Sequence, residues 1–146
     1  MTKPSSFAEY SRRLLAFIER GVVPAEEDFA ALARELFTLQ FAHVAPYRRL
    51  CEARGMGPGT VADWRQIPAV PTAAFKELAL TSLAPAERAA VFHSSVTTQH
   101  RPSQHFHNAE SLEVYEASLR PWFERHVLVK GARAARTSSP SPPPGE

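Results

Sequence analysis

Apolar residues recur at helical spacing through the first third of the chain. Ser6 and Glu9 make a capping-box pair, because the serine hydroxyl and the glutamate each satisfy an orphan amide at a helix start. Phe7, Tyr10, Leu14, Phe17 and Ile18 then share one face until Gly21 closes the helix. Pro24 with Glu26, Glu27 and Asp28 opens a second helix, since acids favour the positive end of the helix dipole. Its apolar face is Phe29, Leu32, Ala33, Leu36, Phe37, Gln40 and Val44. Pro46 interrupts it, and a third short helix carries Tyr47, Leu50 and Cys51 before Gly55 and Gly57. The pattern is that of a helical layer packed on other structure.

The central stretch changes character. Asp63 and Trp64 lead into Ile67-Pro68-Ala69-Val70-Pro71-Thr72, where two prolines impose an extended path. Thr72 is placed to cap a short helix over residues 73–78. Residues 78–83 and 90–93 read as short strands or buried loop, and residues 101–107 as the second arm of a hairpin. Asn108 caps a helix through His126, with Leu112, Tyr115, Leu119, Trp122 and Phe123 expected inward and Pro121 kinking or restarting it. From Gly131 the chain is Ala/Arg and then Ser/Pro, a composition unable to bury a core and expected to be disordered. The expected organisation is a folded unit over residues 1–130, α/β and predominantly helical, followed by a tail over 131–146.

Composition narrows the partners. The 146 residues suffice for one domain with a core, and 44% apolar with 22% charged content is ordinary for a globular protein. The net charge of +2 is unevenly spread: residues 1–119 hold 12 basic and 13 acidic side chains, whereas 120–146 hold 5 basic and 2 acidic. Basicity thus belongs to the tail, and the body lacks an electrostatic footprint for nucleic acid. A single cysteine, Cys51, excludes an internal disulfide framework and fits a reducing compartment. The start of the chain reads as amphipathic, not as a signal peptide, and its charge-free stretches are far shorter than a membrane span. The expectation is a cytoplasmic protein.

The candidate chemistry lies between the two arms of the hairpin. Phosphate groups need clustered backbone N–H donors and small hydroxyl side chains on a tight loop. Ser94, Ser95, Thr97 and Thr98 supply four hydroxyls directly after Val91-Phe92-His93, and Arg101 follows. Taken alone, such a segment is also an ordinary Ser/Thr-rich turn. His93, His100, His105 and His107 could chelate a metal in principle, with His105 and His107 on one strand face. They lack cysteine or acidic neighbours, so no metal site is expected. No Ser/His/Asp triad is readable, because the acids fall on helix faces, and Cys51 reads as a core thiol.

Phe92-His93-Ser94-Ser95-Val96-Thr97-Thr98-Gln99 resembles the Ser-Ser-Gly-Thr-Thr-Gly loop of the adenylate-forming ligases. Pro102-Ser103-Gln104-His105-Phe106-His107, then Ser111, Tyr115 and Ser118-Leu119, is similar to one branch, the acyl-protein synthetases of bacterial bioluminescence (LuxE-like). Phenylacetate-CoA ligases are more distant relatives. Phe37, Gln40, Tyr47, Cys51 and Gly55, then Trp64 and Ile67 through Lys76, resemble the same family's lead-in, so the likeness spans residues 29–127. It implies the leading part of an adenylate-forming ligase large domain, truncated before that family's ribose-, magnesium- and lid-binding segments. The implied ancestral activity is ATP- and Mg²⁺-dependent activation of a long-chain fatty acid to an acyl-adenylate, with transfer to a protein thiol. Implied partners are a fatty-acyl reductase or an acyl-carrying protein.

By position, Ser94, Ser95, Thr97, Thr98 and Arg101 would contact ATP phosphates and His105 would lie near substrate. Val96 and Gln99 stand where that family has glycine. Glycine there permits positive φ and close approach of the backbone to the ligand, so this chain alone is expected to be inactive. The alternative expectation is a non-catalytic binding module acting with a partner or a complementary ligase half.

Overall fold

The computed structural model describes residues 6–20, 25–94 and 101–128. The expected tail over 131–146 lies outside these residues, as does most of the Ser/Thr loop. The described chain is mainly helical with one two-stranded sheet. Helix α1 spans Phe7–Glu19, and its N-terminus carries the capping box read from sequence. Glu9 N–H donates to Ser6 Oγ at 3.2 Å, and Ser6 N–H donates to Glu9 Oε2 at 2.9 Å. Helix α2 spans Glu26–His43 and α3 spans Ala45–Ala53.

The break between α2 and α3 is a single residue. Val44 leaves helical geometry at φ −110°, ψ 90°, and Pro46 sits in the first turn of α3, where its missing N–H costs nothing. The Arg48 guanidinium then folds back over the exposed carbonyls at the end of α2, donating to Phe41 O at 2.8 Å and to Ala42 O. At the other end of α3, Gly55 turns the chain at φ 65°, a left-handed conformation that glycine adopts freely. Met56 N–H closes that turn on Cys51 O at 2.9 Å.

This corner encloses the core. Phe37, Val44, Tyr47, Cys51 and Val61 are buried together, with Phe41, Leu50, Met56, Ile67, Val70 and Leu80 packed around them. Cys51 has no exposed surface and Phe37 only 2%. The core thiol expected from sequence is therefore found. Leu39 is also buried although it lies off the apolar face read for α2, whereas Phe29 on that face is largely exposed and meets only the edge of Trp64.

A 3₁₀ turn at Trp64–Gln66 precedes the proline-rich extended stretch, and α4 occupies Ala74–Glu77. Thr72 does not cap α4 with its hydroxyl. Ala73 is already helical there, and Ala74 N–H bonds Pro71 O at 2.9 Å, so the turn begins one residue early and Thr72 contributes its carbonyl to Phe75 N–H. Residues 78–83 are not a strand. Leu80 N–H bonds Leu78 O and Thr81 N–H bonds Ala79 O, successive tight turns that consume the backbone groups a sheet would need. Strands β1 (Ala90–His93) and β2 (Gln104–His107) form the expected antiparallel hairpin, pairing Ala90 with His107 and His93 with Gln104.

Asn108 caps α5 (Ala109–Phe123), its Oδ1 accepting from Ser111 N–H at 2.9 Å. Pro121 sits inside α5 without ending it, and a wider π turn, Glu124–Leu128, follows. The expectation that Tyr115, Leu119, Trp122 and Phe123 face inward is corrected, because all four are exposed. α5 instead has its half-buried positions at Glu110, Ser111, Leu112, Val114 and Ala117, with α1 and β2 as its neighbours. A periodic pattern fixes where the large residues lie on a helix, and the small face proved the one that allowed close approach to α1.

Candidate functional site

Antiparallel pairing brings the two ends of the Ser/Thr loop together. Ser94 follows the last residue of β1 and Ser103 precedes β2, and the two are joined twice. Ser94 N–H donates to Ser103 O at 3.3 Å, and Ser103 N–H donates to Ser94 Oγ at 3.0 Å. The loop is therefore pinched at its neck. Residues 95–100 lie outside the described residues, so Ser95, Thr97 and Thr98 have no described position, nor do Val96 and Gln99. Of the sequence-derived phosphate contacts, Ser94 and Arg101 are placed. Both are exposed near the neck, and Arg101 ion-pairs with none of the described residues.

His105 belongs to this neck through Ser103. The Ser103 hydroxyl, on a residue 7% exposed, meets His105 Nε2 at 3.0 Å. The imidazole lies flat on Phe75, with ring centres 5.2 Å apart and an interplanar angle of 29°. Ser103 belongs to the Pro102–His107 motif, which by itself gives the serine no role. Its signal was its place two residues before a strand histidine, on the same side of the chain at a spacing of two.

Phe75 connects the neck to a cleft. A cavity of about 430 Å³ is lined by Gln40, Val44, Tyr47, Ile67 to Val70, Phe75 and Leu80. Apart from Gln40, the Tyr47 hydroxyl and backbone groups, its walls are apolar. The Tyr47 hydroxyl is committed, donating to Pro68 O at 2.9 Å, and burial pushes its ionisation well above the ordinary phenol range. A second cavity of about 410 Å³ shares Gln40, Val44 and Leu80 and continues past Ser11, Thr81 and Ser82 to Asn108 and Glu110. The two form one apolar-to-polar surface that sequence periodicity did not reveal, because its walls come from α2, the proline stretch, α4 and the turns after it.

The other histidine of β2 has a structural partner set. His107 Nδ1 meets Ser111 Oγ at 3.3 Å, and its ring packs 4.6 Å from Phe92 and 6.2 Å from Tyr115. His105 and His107 thus share a strand face as expected, each engaged by a serine and an aromatic ring. Among the described residues no group of three His, Cys, Asp or Glu side chains could hold a metal ion. Cys51 is the wrong kind of thiol for acyl transfer: it is sealed in the core, and burial raises its pKa, disfavouring the thiolate. No helix among the described residues is long and apolar enough to cross a membrane.

Both neck N–H groups are spent across the neck, and the Ser103 hydroxyl meets His105. Toward an ATP phosphate the described neck therefore leaves the Ser94 hydroxyl hydrogen and the Arg101 guanidinium. Two serines fix a narrow loop mouth, and Arg101, two residues before Ser103, is exposed and ion-pairs with no described carboxylate. None of Ser94, Arg101, Ser103 or His105 is a carboxylate, so these described residues supply no acidic ligand for Mg²⁺. Comparison with protein-family models, with curated proteins and with solved structures returned no match.

Proposed function

We propose that the chain is an acyl-protein-synthetase-like protein of adenylate-forming descent that holds its ligands without turning them over. The observation supporting this reading is the Phe75–His105 stack, which joins the neck of the Ser/Thr loop to the apolar cleft of about 430 Å³. A ligase for long-chain acids needs a phosphate site and an acyl site to converge at the carboxylate. His105 stands at that junction. The cleft has the apolar walls an acyl chain requires, and the neck has the hydroxyl and guanidinium groups that phosphates require.

In this reading Ser94, Ser95, Thr97, Thr98 and Arg101 hold the phosphates of ATP, which when bound would supply the adenylyl group for carboxylate activation. Ser103 fixes the imidazole of His105 against Phe75, a residue that lines the cleft. Val96 and Gln99 favour the binding form of this function over the catalytic one. A β-branched residue resists positive φ and crowds approaching phosphates.

Titration of the purified chain with tetradecanoic acid and with ATP, followed by calorimetry, tests the reading. Fatty-acid binding should be saturable and lost in Val70→Trp, which fills the cleft. ATP binding should be weak and strengthen in the double variant Val96→Gly, Gln99→Gly. If neither chain binds either ligand, the reading fails. Fatty-acid-dependent ATP–pyrophosphate exchange by the unaltered chain would overturn the assignment as non-catalytic.

A further inference from the structure

Helix α5 presents its surface the wrong way round for a helix whose only contacts are with its own chain. Tyr115, Leu119, Trp122 and Phe123 are exposed, and so are Val127 and Leu128 in the following turn. Trp122 reaches 57% exposure and Leu128 56%. Single exposed apolar residues are ordinary, but six within fourteen residues of one element form a patch that marks contact with something else. The indole is also held ready. His126 stacks on Trp122 with centres 5.1 Å apart at 21°, and its Nδ1 bonds Trp122 O at 2.9 Å.

We infer that α5 is a self-association surface, through which two copies of this chain pair antiparallel about a two-fold axis near Leu119. Two features identify the occupant as a second copy. Tyr115, Leu119, Trp122 and His126, all exposed, are spaced by four, three and four, the spacing of a seam along which two helices interlock. Charge along the helix is segregated as well. Its first half carries Glu110, Glu113 and Glu116 with no base, whereas Arg120 and Arg125 outnumber Glu124 beyond Leu119. Antiparallel pairing sets each acidic half against the partner's basic half and opposes the helix dipoles, while parallel pairing would superpose like charges. The same patch then serves both copies, and Tyr115 of one packs beside Trp122 and Phe123 of the other.

This inference is independent of the acyl-protein synthetase reading. Sedimentation equilibrium of the full chain should show a monomer–dimer equilibrium in the micromolar range. Trp122→Glu should weaken it at least tenfold while leaving the circular-dichroism spectrum and thermal unfolding of the monomer unchanged. Glu113→Lys with Glu116→Lys, and separately Arg120→Glu with Arg125→Glu, should each lose dimerisation, and mixing the two variants should restore a one-to-one dimer. A monomer at every concentration, association indifferent to Trp122→Glu, or charge variants that fail to rescue each other would each overturn the proposal.

Discussion

Two aromatic clusters in this molecule differ in ring spacing one way and in burial the other. In the corner between α2 and α3, Phe37 meets Tyr47 and Phe41 edge-on with ring centres 6.1 Å apart. At the hairpin, Phe92 meets His107 at 4.6 Å and Tyr115 at 5.6 Å. The first cluster is sealed, with Cys51 and Val61 closing it. The second leaves Phe92 and Tyr115 exposed. Ring contact contributes about 0.5–1.5 kcal/mol, whereas removing a large side chain from water contributes two or three times as much. Contact distances alone would rank the hairpin cluster higher, and burial reverses that order. The core corner is therefore complete within this chain, and the hairpin with α5 is a platform whose rings remain available.

The largest effects should come from testing that ranking directly. Phe37→Ala deletes a fully packed ring and should cost about 3–5 kcal/mol in urea-unfolding free energy. Phe92→Ala removes a ring in closer aromatic contact but with an open face, and should cost about 1 kcal/mol. Equal losses would mean that the two clusters are equally sealed in solution, and the contrast would collapse.

Alkaline pH should probe the sealed corner next. Burial raises the pKa of Tyr47 and Cys51, and also that of Tyr10 on α1. The folded state therefore holds the protonated forms, while the unfolded chain releases its protons from the ordinary values of 9.0 for the thiol and 10.0 for the phenols. Above these values the unfolded state binds fewer protons, so stability is full below about pH 9 and falls as pH rises further. Urea midpoints between pH 8 and pH 11 should decline accordingly, and Cys51→Ala should remove the earliest part of the decline. Labelling with a thiol reagent at pH 7 should be slow until urea opens the corner. Rapid labelling of the native chain would contradict the burial of Cys51.

These regions also divide what the sequence could and could not tell. The caps at Ser6 and Asn108, the break near Pro46 and the hairpin arms were legible because each depends on local chemistry: a hydroxyl or amide beside free N–H groups, a missing donor, an alternating run. The orientation of α5 was not, because periodicity locates a stripe and cannot say which stripe meets a neighbour. Leu39 was missed for the related reason that a helix wedged between several elements buries more than one face. Residues 78–83 read as short strand or buried loop, and tight turns claim the backbone groups that a strand would need. At the candidate site, Ser94, Arg101 and His105 were identifiable by motif. The cleft and the Phe75 stack were not, because their residues are contiguous only after the proline stretch folds across α2.

A smaller effect separates the cleft wall from mere packing. Tyr47→Phe keeps the ring against Phe37 and removes only the hydroxyl, leaving Pro68 O without its 2.9 Å donor beside the cleft. The loss should be about 1–2 kcal/mol of unfolding free energy. Tetradecanoic acid affinity should be retained, because the apolar walls are unchanged. Loss of fatty-acid binding with stability intact would instead assign the hydroxyl to the ligand.

The smallest effect concerns the platform itself. Asn108 is the joint between β2 and α5, and its side chain holds Ser111 N–H while Ser111 Oγ takes Asn108 N–H at 3.0 Å and reaches His107 Nδ1. Asn108→Ala should cost about 1 kcal/mol, as N-cap removals typically do. Ser6→Ala at the simpler cap of α1 should cost a comparable or slightly smaller amount. The two caps differ in what lies behind them: α1 begins a segment, whereas Asn108 transmits the hairpin's position to α5. Asn108→Ala should therefore also speed amide exchange at Phe106 and His107, while Ser6→Ala leaves the hairpin amides unchanged. If both substitutions leave hairpin exchange alone, α5 and the hairpin are independent units and the platform is not a single surface.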